Sequence, residues 1–166
     1  MLSVSVRLWE LGLTPLSLGR QAGVLAVNEA MTAAGCPHLQ GMPYPQLSGG
    51  ERQRVHFARV LLQLSQAELP PLLLLDEPTS AQDLGQQHQM LSLVRSLCES
   101  TGMLAIAVLH DVNQALRYSH RCTLVDSGQI AASGLPSEVL TAENVAQYWQ
   151  YRPATFSNEQ GEVVLA

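Results

Sequence analysis

Four consecutive leucines, Leu72 to Leu75, run directly into Asp76, Glu77 and Pro78. The run is too short for a long helix and too apolar for a half-exposed strand, so it predicts a strand buried on both faces, as in a parallel sheet. Ligands in open α/β sheets collect at the carboxyl ends of the strands, where this strand delivers two adjacent carboxylates. A second apolar run, Met103 to Leu109, ends in His110. Between the two runs, Leu84 to Glu99 reads as a helix with Leu91, Val94 and Cys98 on one stripe, Leu84 in register one heptad earlier, and Gly102 to break it. Strand, helix and strand in that order predict a parallel crossover and a sheet that is parallel at its centre.

Upstream, Leu47 to Val55 reads LSGGERQRV. It predicts a helix from near Gly50 to near Leu64, apolar around most of its circumference and therefore largely buried, with Arg52, Gln53, Arg54 and Gln63 needing solvent or polar partners. Glycines at a helix start let unpaired backbone N–H groups approach a phosphate, and Ser48 adds a hydroxyl donor. Downstream of the second strand, Asp111 with Gln114 three residues later marks the start of a further helix. Taken together, LSGGE, DEPTSA and His110 point to nucleotide chemistry.

The order and spacing of these motifs, 28 residues from Ser48 to Asp76 and 33 from Glu77 to His110, resemble the ATP-binding subunit of an ATP-binding-cassette (ABC) transporter. The resemblance implies an α/β fold, the C-terminal part of an ABC-type P-loop ATPase domain. Such a part has a parallel sheet core, a portion of the helical subdomain (residues 11–64, with the signature helix), and a catalytic core from 70 to 166 that ends in an antiparallel hairpin. It implies ATP and Mg²⁺ as cofactors. Asp76 would hold Mg²⁺ through water, Glu77 would act as general base, and His110 would contact the γ-phosphate and position the attacking water. Ser48, Gly49, Gly50 and Glu51 would complete the nucleotide site of an opposing subunit, and Asp83 would contact that subunit's site. Where the family usually has leucine, this chain has Gln82.

The segment GLTPL, Gly12 to Leu16 within a longer apolar stretch, and the ending around GLPSEVLTAENV are similar to those of importers of heme, cobalamin and iron chelates, closest to the heme group. The partners this implies are integral membrane permease subunits, a second ATPase subunit in a homodimer and, indirectly, a periplasmic binding protein, with the chain peripheral on the cytoplasmic face of the inner membrane. Two other classes stand beside hemin import. One is a cassette ATPase of DNA repair or translation, which would show long heptad arms, tandem cassettes or basic surfaces. The other is a non-catalytic truncated remnant.

Composition bears on these choices. The chain of 166 residues is 46% hydrophobic and 14% charged, which fits one domain with a sizeable core. Its net charge of −5 argues against a nucleic-acid surface. No apolar run is long enough to cross a membrane. Cys36, Cys98 and Cys122 lack metal-ligand or CxxC spacing and read as packed, reduced thiols. His38, His56, His88 and His120 read as surface or packing residues. A G-x-x-x-x-G-K-[ST] loop, the Walker A element, is absent, and the chain contains no lysine. The expectation is a piece of a longer ATPase with apolar faces left exposed and poor stability.

Local patterns complete the reading. Met1 to Trp9 alternates like a short strand. Gln21 to Ala34 predicts a helix with Gly35 past its end, Pro37 to Pro45 a loop, Cys122 to Asp126 and Gln129 to Ala132 a hairpin around Ser127-Gly128, and two short helices follow to Leu140 and Trp149. Val163 to Leu165 reads as a final strand or a frayed end.

Overall fold

In the computed structural model the described residues are 20–80, 82–157 and 163–166. The expected strand at Met1 to Trp9 and the GLTPL segment lie outside them. Helix α1 (Arg20–Ala33) packs against α2 (Gly49–Leu64). Gly35, at φ 68°, takes the left-handed turn that ends α1, and its N–H bonds Thr32 O while Cys36 N bonds Met31 O. The connection between the helices is not wholly irregular. Two single 3₁₀ turns, Pro37–Leu39 and Tyr44–Gln46, each begin with or contain a proline whose fixed φ suits such a turn.

Strands β1 (Leu72–Asp76) and β2 (Leu104–Val108) pair in parallel, Leu72 opposite Leu104 and Asp76 opposite Val108. The crossover between them is α3 (Leu84–Thr101), closed by Gly102 at φ 73°. The sequence reading of a parallel crossover therefore holds. Cys36, Leu39, Phe57, Leu61, Leu73, Met90, Val94 and Met103 form the main core, between the helices and one face of the pair.

The other face is bare, and here the expectation of a strand buried on both sides fails. Leu73 is 5% exposed, whereas its neighbours Leu72 and Leu74 are 55% and 67% exposed, and Leu104, Ile106 and Val108 of β2 line the same open side. Helices cover only the side of Leu73 and Met103, and no third strand joins this pair among the described residues. The exposed apolar face anticipated from the sequence is thus present. Helix α2 is also less enclosed than its composition implies, with Phe57, Ala58 and Leu61 buried and most other positions half-buried. Leu84, in the first turn of α3, is 66% exposed although it shares the stripe that buries Leu91 and Val94.

Helix α4 (Val112–Tyr118) leads to the hairpin β3 (Cys122–Asp126) and β4 (Gln129–Gly134). Both turn residues have positive φ, Ser127 at 50° and Gly128 at 76°, the geometry that matches the twist of a two-residue hairpin. Short helices α5 (Pro136–Val139) and α6 (Ala142–Trp149) follow, with Leu124, Val139 and Leu140 as a second, smaller core. Strands β5 (Thr155–Ser157) and β6 (Val163–Leu165) pair antiparallel. Val163–Leu165 is a strand, as its apolar run allows, and its partner β5 carried no signal in the sequence.

Candidate functional site

Parallel pairing brings the carboxyl ends of β1 and β2 to one edge. Because Asp76 is opposite Val108, Glu77 and His110 leave the sheet side by side, and His110 Nε2 lies 2.7 Å from Glu77 Oε1. Both side chains are open to solvent, His110 at 74% and Glu77 at 48%. Asp76 is likewise exposed. Glu77 has φ 45°, a left-handed backbone that a side chain adopts at a cost of about 1–3 kcal/mol and that concentrates at functional sites. Its carbonyl is held from behind by the N–H and hydroxyl of Ser80.

Ser48 is the N-cap of α2. Its hydroxyl accepts from Glu51 N at 3.4 Å and lies 2.7 Å from Glu51 Oε2, which also accepts from Ser48 N at 2.7 Å, a reciprocal capping box. These bonds from Ser48 hold the Glu51 carboxyl below the usual carboxylate range. Gly49 and Gly50 occupy the first two helical positions, whose N–H groups have no intrahelical acceptor. A side chain added at Gly49 would meet nothing within 4 Å, so the approach to those amides is open. Asp83 caps α3, its Oδ1 accepting from Gln86 N at 3.0 Å. Asp111 caps α4, accepting from the N–H groups of Asn113 and Gln114.

Two side chains of α2 reach the segment that follows β1, one at the loop after Glu77 and one at the start of α3. Gln53 Nε2 donates to Pro78 O at 2.5 Å, and Arg54 donates to Gln86 Oε1. The structure thus joins Glu77 to His110 directly and couples α2 to the loop after Glu77. Among the described residues no hydrogen bond or ion pair links Ser48–Glu51 with Asp76, Glu77 or His110. A groove of about 530 Å³ between α1, α2 and the end of α3, lined by Ala30, Leu61 and Leu97 among others, contains none of these residues.

Gln82, the departure noted in the sequence, is buried at 9% exposure with neither amide atom hydrogen-bonded among the described residues. Sequence reasoning missed Gln87 and gave Gln114 only a place near a helix start. Gln87 Nε2 donates to the loop carbonyls of Thr79 and Gln82, and Gln114 reaches the loop only through Gln87. The legible signal for Gln87 was an amide on the same stripe as the buried Leu91 and Val94, where an apolar residue is the ordinary occupant.

A family model described as ABC transporter matches residues 14–80. That stretch contains the Ser48–Glu51 turn and β1, and over it the chain is similar to the ATPase domain of ABC transporters. Among curated relatives, the hemin import ATP-binding protein of Shewanella denitrificans is 50% identical over 141 residues, covering 85% of this chain and 56% of that protein. The hemin import ATP-binding protein of Vibrio cholerae is 44% identical over 143 residues, covering 86% and 55%. The chain therefore spans little more than half the length of these relatives. Among solved structures, an ABC transporter described as metal-chelate type, in an inward-facing conformation, superimposes with a TM-score of 0.71 at 25% identity, covering 95% of this chain and 62% of that one. A dimeric bacterial ABC transporter cassette gives 0.64 at 28% identity, covering 72% and 49%.

Proposed function

We propose that the chain carries the signature and water-activating portion of a subunit that hydrolyses ATP to power hemin import through an ABC transporter. The observation that carries the reading is the Glu77–His110 contact at the joint end of two parallel strands, in a sequence half identical to a hemin import ATP-binding protein.

The residues fit the group they would meet. Mg²⁺ keeps several waters and takes only one or two protein carboxylates, its remaining oxygens coming from substrate phosphates. Exposed Asp76 supplies such a ligand, and among the described residues no group of three or more His, Cys, Asp or Glu could hold an ion alone. Bound Mg²⁺ would offset charge on the phosphates. Glu77 accepts the proton of the attacking water, and His110 beside it holds that water toward the γ-phosphate. The open amides of Gly49 and Gly50, with Ser48, meet the γ-phosphate of nucleotide held by a second subunit, and Asp83 approaches the same site. For its hydroxyl to donate there, Ser48 must release Glu51.

In this reading residues 11–64 form helical subdomain and signature helix, and 70–166 the catalytic core. The protein works as a homodimer beneath permease subunits at the cytoplasmic face of the inner membrane, supplied indirectly by a periplasmic binding protein. No helix among the described residues is long and apolar enough to cross a membrane. Cobalamin or an iron chelate is the runner-up cargo, favoured by the likeness to a metal-chelate type transporter. A remnant unable to bind ATP alone is the other alternative, favoured by nine basic residues that are all arginine.

Growth on hemin as sole iron source, in a bacterium lacking only the ATPase subunit of its hemin importer, tests the reading. Expression of a longer protein that contains these residues together with a phosphate-binding loop should restore growth, and Glu77→Gln in it should abolish growth while leaving ATP bound. Rescue on cobalamin or a ferric chelate alone transfers the cargo to the runner-up. Rescue that survives Glu77→Gln overturns the assigned chemistry, and absence of both rescue and Mg-ATP binding leaves the remnant.

A further inference from the structure

The contact between Glu77 and His110 joins two exposed side chains on different connections, so something beneath must keep those connections in register. Gln87 is placed to do so. It lies one turn into α3, half-buried, and its Nε2 donates to both carbonyls that frame the loop after Glu77: Thr79 O at 3.1 Å and Gln82 O at 2.9 Å. Its Oε1 accepts from Gln114 Nε2 at 2.6 Å. Gln114 is 3% exposed and sits in the first turn of α4, four residues after His110.

These bonds close a ring. From Glu77 the chain runs two residues to Thr79, crosses to Gln87, crosses again to Gln114, returns along the backbone to His110 and closes through the 2.7 Å contact. One side chain therefore carries both connections. Gln53 grips the same loop at Pro78 O, and Asn113 exchanges two 2.8 Å bonds with the backbone of Leu165, which holds α4 from its other side. With α4 and the loop each anchored elsewhere, Gln87 is the joint between them. An amide is required there because the position must donate to carbonyls and accept from an amide at once, which neither glutamate nor a hydroxyl of that length provides.

We propose that Gln87 is a positioning residue that, through Gln114, holds the loop after Glu77 and the helix after His110 in the register that keeps Glu77 against His110. Its meaning for ATP hydrolysis rests on the function proposed above, but the register itself does not. The brace also explains why a glutamine stands on an otherwise apolar stripe.

The test reads the contact directly. Ring-nitrogen NMR signals of His110 are compared in the wild-type protein, in Glu77→Ala, where the contact is cut, and in Gln87→Leu, with circular dichroism to establish folding. The His110 signals of Gln87→Leu should move at least about half of the way to those of Glu77→Ala, while His120, which meets Glu99, stays in place. Should Gln87→Leu not fold, Gln114→Met, which keeps the buried volume and removes the amide, takes its place with the same expected shift. In the intact transporter kcat should fall about tenfold with KM within about twofold, since misplacement of the water-activating pair leaves nucleotide contacts untouched. Unmoved His110 signals overturn the brace, as does a moved signal with unchanged kcat in a transporter that turns over ATP. If the wild-type transporter turns over no ATP, the proposed function fails, and the ring-nitrogen signals alone decide the brace.

Discussion

Adjacent leucines of β1 face opposite environments and should respond oppositely to substitution. Leu73 is 5% exposed in the main core, and Leu74 is 67% exposed on the open face beside Ile106, its cross-strand partner. Truncating a buried leucine to alanine costs about 2–5 kcal/mol, transfer and cavity terms together, and a well-packed site such as Leu73 warrants about 3 kcal/mol. Full burial of a leucine side chain is worth about 1.5–3 kcal/mol, so Leu74, roughly one-third covered, loses about 0.5–1 kcal/mol on change to threonine. The strand preference of a β-branched residue offsets part of that loss. Amide hydrogen exchange along the β1–β2 ladder reads these values locally and does not depend on a cooperative global transition. With about 1.4 kcal/mol per factor of ten, Leu73→Ala should accelerate exchange more than about a hundredfold and Leu74→Thr less than about fivefold. Equal acceleration by the two variants would refute the argument, because it would mean that the face bearing Leu74 is covered in solution.

The same open face should bind a hydrophobic dye and give the isolated 166-residue chain a broad thermal transition; a sharp, dye-independent melt of the monomer would contradict this. Calorimetric titration of that chain with Mg-ATP should show no tight binding, since it lacks the lysine and glycine loop that hold phosphates, and strong heats would disprove the account of the site. Glu51, held below its ordinary range by Ser48, contributes to the start of α2 above the unfolded carboxylate pKa, and the contribution is lost as pH falls through the lower folded value. Protection of the Ser48 and Glu51 amides should therefore decline in acid, and Glu51→Gln should flatten that dependence. Removing the cap of α4 by Asp111→Ala should cost about 1 kcal/mol in a denaturant titration, and a value near zero would mean that packing against β6 alone sets the helix start.

Those features that short-range chemistry determines were legible in the sequence. Gly35 and Gly102 end helices, Asp111 begins one, and Ser127-Gly128 turns a hairpin, because each acts on backbone groups within a few residues. The parallel pair was legible from run length and order. What covers Leu72 and Leu74 was not, since an unbroken apolar run has no period and carries no information about which neighbours are present. β5 escaped notice because three residues of mixed character rely on pairing with β6 for their conformation. In the site, the Glu77–His110 contact follows from register once the strands are paired. The Gln87 brace does not, because its partners are recruited from a loop and a helix that only the folded chain brings together, 27 residues separating Gln87 from Gln114.

The left-handed backbone at Glu77 also bears on how this position can change among related strains. Glycine occupies that region without penalty, and a single transition at the second base turns either glutamate codon into a glycine codon. On the function proposed above, a lineage that needs ATP hydrolysis purges that change, because it removes the carboxylate. In a lineage that does not need it, the change relieves the backbone and meets little resistance. Position 77 is thus a place where relaxed selection should become visible early in the sequences of related strains, ahead of the core leucines that any folded descendant must retain.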